Sequence, residues 1–129
     1  MAKTHTLNKI LTQSDGATIQ DSGVTYTGDT VENSDLVVNA NGGAANAIES
    51  AFTAANFKSA FLVSTVPCVV TFTGSTAIDG ITTSTVTLAA NVGRHIAAFT
   101  GDVTAISIGA NTDSSGPAGT LKFSLLHNT

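Results

Sequence analysis

The residues that could carry chemistry are few and far apart: three histidines, one cysteine and nine acidic residues in a chain of 129. His5, His95 and His127 could form a metal site only if folding brought them together, because none has a second ligand at metal-binding spacing. We expect His5 and His127 to lie on exposed terminal strands instead. The histidines therefore predict no metal, no cofactor and no catalytic residue.

The single cysteine has two interpretations. Cys68 follows Pro67 and precedes a pair of valines. A thiol could act as a nucleophile, but no base partner is evident, so we predict that Cys68 packs in the core as a small apolar residue. One cysteine also excludes an intrachain disulfide, and the chain therefore does not require an oxidising compartment.

Two polar segments offer oxygen ligands that could hold Ca²⁺. Asp29, Glu32 and Asp35 are spaced three residues apart, and a polar loop covers residues 111–116. Neither segment matches the EF-hand loop, so a solvated turn is favoured over a cation site in both. The sequence also lacks a phosphate-binding loop and the Gly-x-Ser-x-Gly motif of many hydrolases. We therefore predict that the protein is not an enzyme.

The elements that would position these residues are β-strands, because apolar residues recur mainly with a period of two. In the last of them, Leu121, Phe123 and Leu125 would face the core and the intervening residues would face outward. A continuous apolar run at residues 60–63 predicts a central strand covered on both faces. The other alternating segments are residues 69–73, 85–88 and 103–108, with weaker candidates at 17–20, 24–27 and 36–39.

Turn-forming pairs such as Asp15-Gly16 and Asp79-Gly80 separate the strands at the short spacing typical of antiparallel structure. Roughly eight to ten strands follow from this spacing. The predicted fold is therefore all-β, a single antiparallel β-sandwich with jelly-roll or Ig-like topology.

One internal segment is ambiguous. Alanines in residues 44–57 favour a helix, whereas Ile48 and Phe52 alternate with polar residues as a strand would. We interpret this segment as a strand through Ile48 and Phe52, followed by a helical turn at residues 53–56.

The N-terminal segment also leaves two alternatives. Residues 1–13 form either an arm that reaches a neighbouring subunit or the first strand of the sandwich, because Leu7, Ile10 and Leu11 are spaced too irregularly to decide. The segment also carries two of the five cationic residues, which could meet acidic neighbours. Residues 14–129 form the β-sandwich domain in this interpretation.

The composition indicates a surface suited to being covered by neighbours. Only 11% of the residues are charged, compared with about a quarter in a typical soluble domain. Five scattered cations and a net charge of -4 provide no basic patch, so we expect no direct nucleic-acid contact. The polar N-terminus has no signal-peptide pattern and no stretch is long enough to span a bilayer, so we expect cytosolic synthesis and no membrane contact.

Serine and threonine hydroxyls on a sheet can line a carbohydrate site, but such sites usually add stacking aromatic rings. Aromatic residues make up 5% of this chain and tryptophan is absent. Threonine on exposed strands is therefore the favoured explanation for the excess of hydroxyls.

The order of strands and small-residue turns in residues 56–64, 68–73, 86–91, 102–108 and 119–126 resembles small β-sandwich virion proteins of tailed bacteriophages, including head decoration or cement proteins. The resemblance implies a multicopy homo-oligomer, often a trimer, that is assembled in the host cytoplasm. It would bind the major capsid protein or another virion protein and reinforce an icosahedral head, with no catalytic residues. The alternative is a tail-fibre or adhesin-type module that recognises a surface carbohydrate or protein.

Overall fold

The computed structural model describes residues 2–48 and 50–129, which contain fourteen strands. No helix in the described part is long and apolar enough to cross a membrane. The strands are β1 (Lys3–Leu7), β2 (Ile10–Thr12), β3 (Thr18–Gln20), β4 (Val24–Gly28), β5 (Thr30–Val38), β6 (Asn46–Ile48), β7 (Phe57–Ser64), β8 (Cys68–Thr73), β9 (Ala77–Ile78), β10 (Thr85–Leu88), β11 (Arg94–Ile96), β12 (Phe99–Thr100), β13 (Ala105–Ile108) and β14 (Gly119–His127).

Eight strands form two four-stranded antiparallel sheets that pack as a β-sandwich, and this confirms the predicted fold class. Sheet I has the order β10-β8-β13-β6, and sheet II has the order β11-β7-β14-β5. The other six strands pair as three two-stranded ribbons, β1 with β4, β2 with β3, and β9 with β12. The described residues thus contain more strands than the expected eight to ten, because the three short ribbons add six strands to the eight of the two main sheets.

The core lies between the two sheets and follows the predicted alternation. Leu121, Phe123 and Leu125 are buried on β14, and Phe72 is buried on β8 of the facing sheet. The ring of Phe99 lies 4.7 to 5.3 Å, between centroids, from three other phenylalanine rings, those of Phe52, Phe57 and Phe72. These rings fill one end of the space between the sheets.

The ambiguous segment at residues 44–57 contains both predicted features. Strand β6 ends at Ile48, and Phe52 forms a separate antiparallel bridge with Val103. The amides of Asn56 and Phe57 both donate to the Thr53 carbonyl, which confirms the helical turn. The predicted strand also crossed Glu49, which lies outside the described residues.

Two predictions about β5 and β7 are wrong. Strand β7 is central in sheet II, but it is not covered on both faces, because Phe61 on its outer side is 39% exposed. Asp29, Glu32 and Asp35 do not form a solvated turn, because Glu32 and Asp35 belong to β5. Side chains three residues apart in a strand point to opposite faces, so these two carboxylates diverge.

The N-terminal strands form a hairpin over the outer face of sheet II. We call residues 3–28 the hairpin, strands β1 and β4 its base, and strands β2 and β3 its tip. Gly28 at the end of the base packs so closely on Leu126 that an added Cβ would lie 3.1 Å from the leucine side chain. Leu126 is fully buried there, outside the main core.

The choice between an arm and a first strand, left open above for residues 1–13, applies to the whole hairpin of residues 3–28. The strands of residues 1–13 pair with β3 and β4, and neither joins sheet I or sheet II. The whole hairpin therefore meets the sandwich as one ribbon. That it reaches a neighbouring subunit stays a prediction.

The buried phenylalanines of the core lead to a first prediction. Replacing Phe72 or Phe123 with alanine should lower the free energy of unfolding by about 3 to 5 kcal/mol, because each truncation leaves a cavity between the sheets. Lys122→Ala should have little effect, since Lys122 is exposed on the other side of β14. Chemical denaturation measures all three variants, and equal losses at Phe123 and Lys122 would contradict the strand orientation.

Candidate functional site

Four polar side chains, together with the ring of Tyr26, meet where the hairpin base lies on sheet II. His5 of β1 and Tyr26 of β4 are directly opposite in the register, so both point to the same side of the ribbon. Ser59 comes from β7, His95 from β11 and Ser124 from β14. The two histidines, ninety residues apart in sequence, are thus neighbours in the fold.

A strand irregularity places Ser59 in this group. Phe57 and Ala60 are both core residues, although residues three apart in a regular strand face opposite sides. The register of β7 against β14 shifts between Leu126 and His127, so that one residue of β7 is extra at this point. Because of this bulge, Phe57 and Ala60 both face the core, and Ser59 between them points away from it.

The four side chains form one hydrogen-bonded group, which we call the imidazole–serine network: His5, Ser59, His95 and Ser124. Ser59 Oγ lies 3.0 Å from His5 Nδ1 and 2.9 Å from His95 Nε2. The other nitrogen of His5, Nε2, lies 2.9 Å from Ser124 Oγ. With neutral rings, two assignments fit these distances: His5 Nδ1–H donates to Ser59, Ser59 donates to His95 and Ser124 donates to His5, or all three directions are reversed. Either assignment gives every contact in the network one donor and one acceptor.

Burial favours the neutral form of both imidazoles. Partial burial lowers the pKa of His5 from its ordinary value of 6.5, and the nearby His95 lowers it further. Burial also lowers the pKa of His95, where the negative charge of Asp79 opposes the shift and the positive charge of Lys9 adds to it. The Tyr26 ring, 4.9 Å from that of His95, covers part of its surface.

A recess of about 530 Å³ lies beside the network, between the hairpin and sheet II. Phe61 supplies an aromatic ring to its wall, and this ring lies over the backbone of Gly93, where a Cβ would collide with it. Hydroxyl, amide and imidazole groups supply the polar lining, from Thr4, His5, Thr6, Asn8, Ser59, His95 and Ser124. The recess offers neutral hydrogen-bonding groups beside the apolar side chains of Leu7 and Phe61.

The network has some components of an acyl-transfer site but not an accessible nucleophile. Ser59 is 0% exposed and both imidazoles already bond its hydroxyl. A substrate carbonyl could therefore reach Ser59 only if the hairpin moved. The described residues also contain no group of three histidine, cysteine or acidic side chains placed to hold a metal ion. What the arrangement does chemically is to bind the hairpin to the sheet.

The third histidine belongs to a different part of the fold, and its predicted exposure is wrong. His127 is only 9% exposed, because β14, the last strand in sequence, is central in sheet II. Its Nδ1 lies 3.1 Å from the Asn128 carbonyl oxygen, and its Nε2 lies 3.4 Å from Glu32 Oε2. His5 is half-buried rather than exposed, because it faces sheet II.

The remaining candidates lie apart from the network and take part in local structure. Cys68 is fully buried, as predicted, and burial raises the pKa of its thiol. The Asp29 carboxylate accepts hydrogen bonds from Thr30 and Thr129, and the Thr30 bond is the main reason that its pKa is lowered. In the polar loop, the buried Asn111 amide donates to the Pro117 carbonyl.

The second notable surface is the tip of the hairpin. Ile10, Leu11 and Ile19 are about 60% exposed, at 60%, 59% and 63%. Leu11 pairs directly with Ile19, so both lie on one side of the tip, while Ile10 lies on the other. The pairing of Ile10 and Leu11 with residues 18–20 is not predicted by the spacing of Leu7, Ile10 and Leu11; the turn between the two strands is closed by a hydrogen bond between Gln13 and Ala17.

The lowered pKa values of His5 and His95 lead to a second prediction. In NMR titrations His5 and His95 should each show a pKa below 6.5, and Lys9→Gln should raise the pKa of His95 more than that of His5. The unfolded chain would then bind protons first as the pH falls, so the free energy of unfolding should decrease from about pH 6.5 downward. A pKa at or above 6.5 for both rings would contradict the account.

Comparison with known proteins assigns no role to these residues. No family model matches the chain, and no curated protein or solved structure matches it. The contacts of the network, the recess and the tip are the observations from which a function is inferred.

Proposed function

We propose that this protein is a structural virion protein of the head decoration or cement kind, which binds the major capsid protein and stabilises an icosahedral phage head. The observation that carries the proposal is the hairpin tip, an exposed two-stranded ribbon with apolar residues on both sides. The strand and turn order of the second half of the chain, which resembles such proteins, supports the same assignment.

The tip has the features of a segment that is completed by a partner. A two-stranded ribbon without a third strand or a packed face is marginal in water. Its pairing spans three residues on each strand, and Ile10, Leu11 and Ile19 have no apolar layer against them. Burial of these side chains on a partner would remove apolar surface from water, at about 25 cal/mol for each Å².

Hydrogen bonds also join the two strands of the hairpin where its base becomes its tip. The Asp21 carboxylate accepts hydrogen bonds from the backbone amides of Lys9 and Gly23, and the Asp21 amide donates to the Lys9 carbonyl. Gly23 has a positive φ of 81°, a conformation that other residues rarely adopt. These contacts lie between base and tip and join the two strands of the hairpin there.

The scarcity of charge fits a protein that works in contact with neighbours. Charged side chains on strand edges usually prevent edge-to-edge pairing. Strand β10, an edge of sheet I, carries none in its sequence Thr85–Leu88, and β6, the other edge, carries none in Asn46–Ile48. Such edges are suited to homo-oligomer formation or to shell contacts, as proposed for a multicopy protein of the virion.

A tail-fibre or adhesin-type module is the second candidate, and the recess favours it. Neutral hydroxyl and amide groups beside an aromatic ring suit a sugar, which offers hydroxyls at its edge and an apolar face. The network argues the other way, because its polar atoms already bond one another. The decoration role is therefore preferred.

Adding purified protein to heads assembled without it tests the proposal. Heads of the phage that encodes the chain should bind the native protein in many copies, as measured by sedimentation and quantitative gel analysis. A variant with Ile10→Ser, Leu11→Ser and Ile19→Ser should bind at least about tenfold more weakly, because the tip loses its apolar contacts.

A matched control changes exposed apolar residues away from the tip. Ile81→Ser with Val92→Ser removes side chains of similar exposure, 63% and 58%, and should leave head binding unchanged. Absence of binding by the native protein, or equal loss in both variants, would contradict the decoration role. Binding of neutral glycans that is lost in Phe61→Ala, without head binding, would support the adhesin alternative.

A further inference from the structure

We infer that the imidazole–serine network is a pH-sensitive switch, which holds the hairpin base on sheet II while its two imidazoles are neutral and releases it when both are protonated. The inference goes beyond the proposed function and holds for any role of the protein, because it rests on the contacts between the hairpin and the sandwich alone.

Polar contact between the hairpin and the sandwich is concentrated on one side chain. Among the described residues, His5 forms both of the side-chain hydrogen bonds that join residues 3–28 to the rest of the chain, one to Ser59 and one to Ser124. Two further contacts of the base are apolar or aromatic, namely Gly28 on Leu126 and Tyr26 on His95. A change at His5 and His95 thus acts on both of these hydrogen bonds and on the contact between the Tyr26 and His95 rings.

Counting protons shows why protonation of both rings disrupts the network. Ser59 Oγ is the shared partner of His5 Nδ1 and His95 Nε2, and in the neutral state the serine donates to one ring and accepts from the other. When both rings are imidazolium, both nitrogens and the serine hydroxyl are donors. Two N–H donors then point at the Ser59 oxygen, which has no ring nitrogen left to accept its own hydrogen, and the buried Ser59 hydroxyl is left without an acceptor.

The charges around the network also oppose a doubly protonated state. His5 and His95 themselves become like charges joined through one serine. Lys9, in the link after β1, acts unfavourably on His95, and Lys3 lies on the sheet-facing side of β1 with His5. The ammonium of Lys122 belongs to the same outer face of β14 as Ser124, whereas the carboxylate of Asp79 acts on His95 in the opposite sense.

The hairpin can separate from the sandwich without opening the core. Leu126 and Ser59, which the base covers, are buried but do not belong to the core cluster between the sheets. The junction is held separately, because the Asp29 amide donates to the His127 carbonyl and the Asp29 carboxylate accepts from Thr129. Movement of the base about this junction would leave both sheets intact.

Spin-label distance measurements on the full chain test the switch. Labels at Thr25→Cys on β4 and Thr120→Cys on β14 occupy exposed positions, while the native Cys68 is buried and out of reach of the reagent. At about pH 7.5 we expect one narrow distance distribution, and at about pH 5 a broader one whose mean has increased by more than the original width. NMR signals of core methyl groups, such as those of Leu125 and Ile106, should stay dispersed at both values.

The matched variant carries His5→Gln and His95→Gln, which keep hydrogen-bonding groups but cannot titrate near neutral pH. Its distance distribution should be the same at both pH values, whether the hairpin is bound or released. An unchanged distribution in the native-histidine protein would overturn the inference. So would an equal pH response in the double variant, or loss of the core methyl signals at the pH where the distance changes.

Discussion

The pairing of β14 on both sides is the constraint on which the rest of the structure depends. This nine-residue strand lies between β5 and β7, and its two faces contact different parts of the molecule. The inward face supplies Leu121, Phe123 and Leu125 to the core, and the outward face supplies Ser124 and Leu126 to the hairpin. A shift of one residue in its register would exchange the two faces and remove both contacts at once.

The parts of the fold that the sequence predicts are those set by local alternation. The inward phase of β14, the buried Cys68 and the turn at residues 53–56 follow from side-chain period and turn residues, and all three are found. The exposed Phe61 and the buried His127 were missed, because exposure depends on which strands become central and on where the hairpin ends. Those facts are set by long-range pairing, which spacing along one chain does not encode.

The candidate site was beyond sequence analysis for the same reason. His5, Ser59, His95 and Ser124 lie on four different strands, and Ser59 joins them only because a bulge shifts β7 by one residue. The sequence offered one usable signal, the irregular spacing of Leu7, Ile10 and Leu11. That irregularity corresponds to the break between β1 and β2, where the base of the hairpin becomes its tip. The base binds to the sandwich, and the tip stays available to a partner.

Hydrogen exchange of the tip, free and on the assembled particle, tests the central claim most directly. The claim is that the protein docks through β2 and β3, whose three-residue pairing joins neither main sheet. The account predicts fast exchange of residues 10–12 and 18–20 in the free protein and strong protection of these amides on the head. Unchanged fast exchange at the tip, together with new protection at the edge strands β6 and β10, would contradict it.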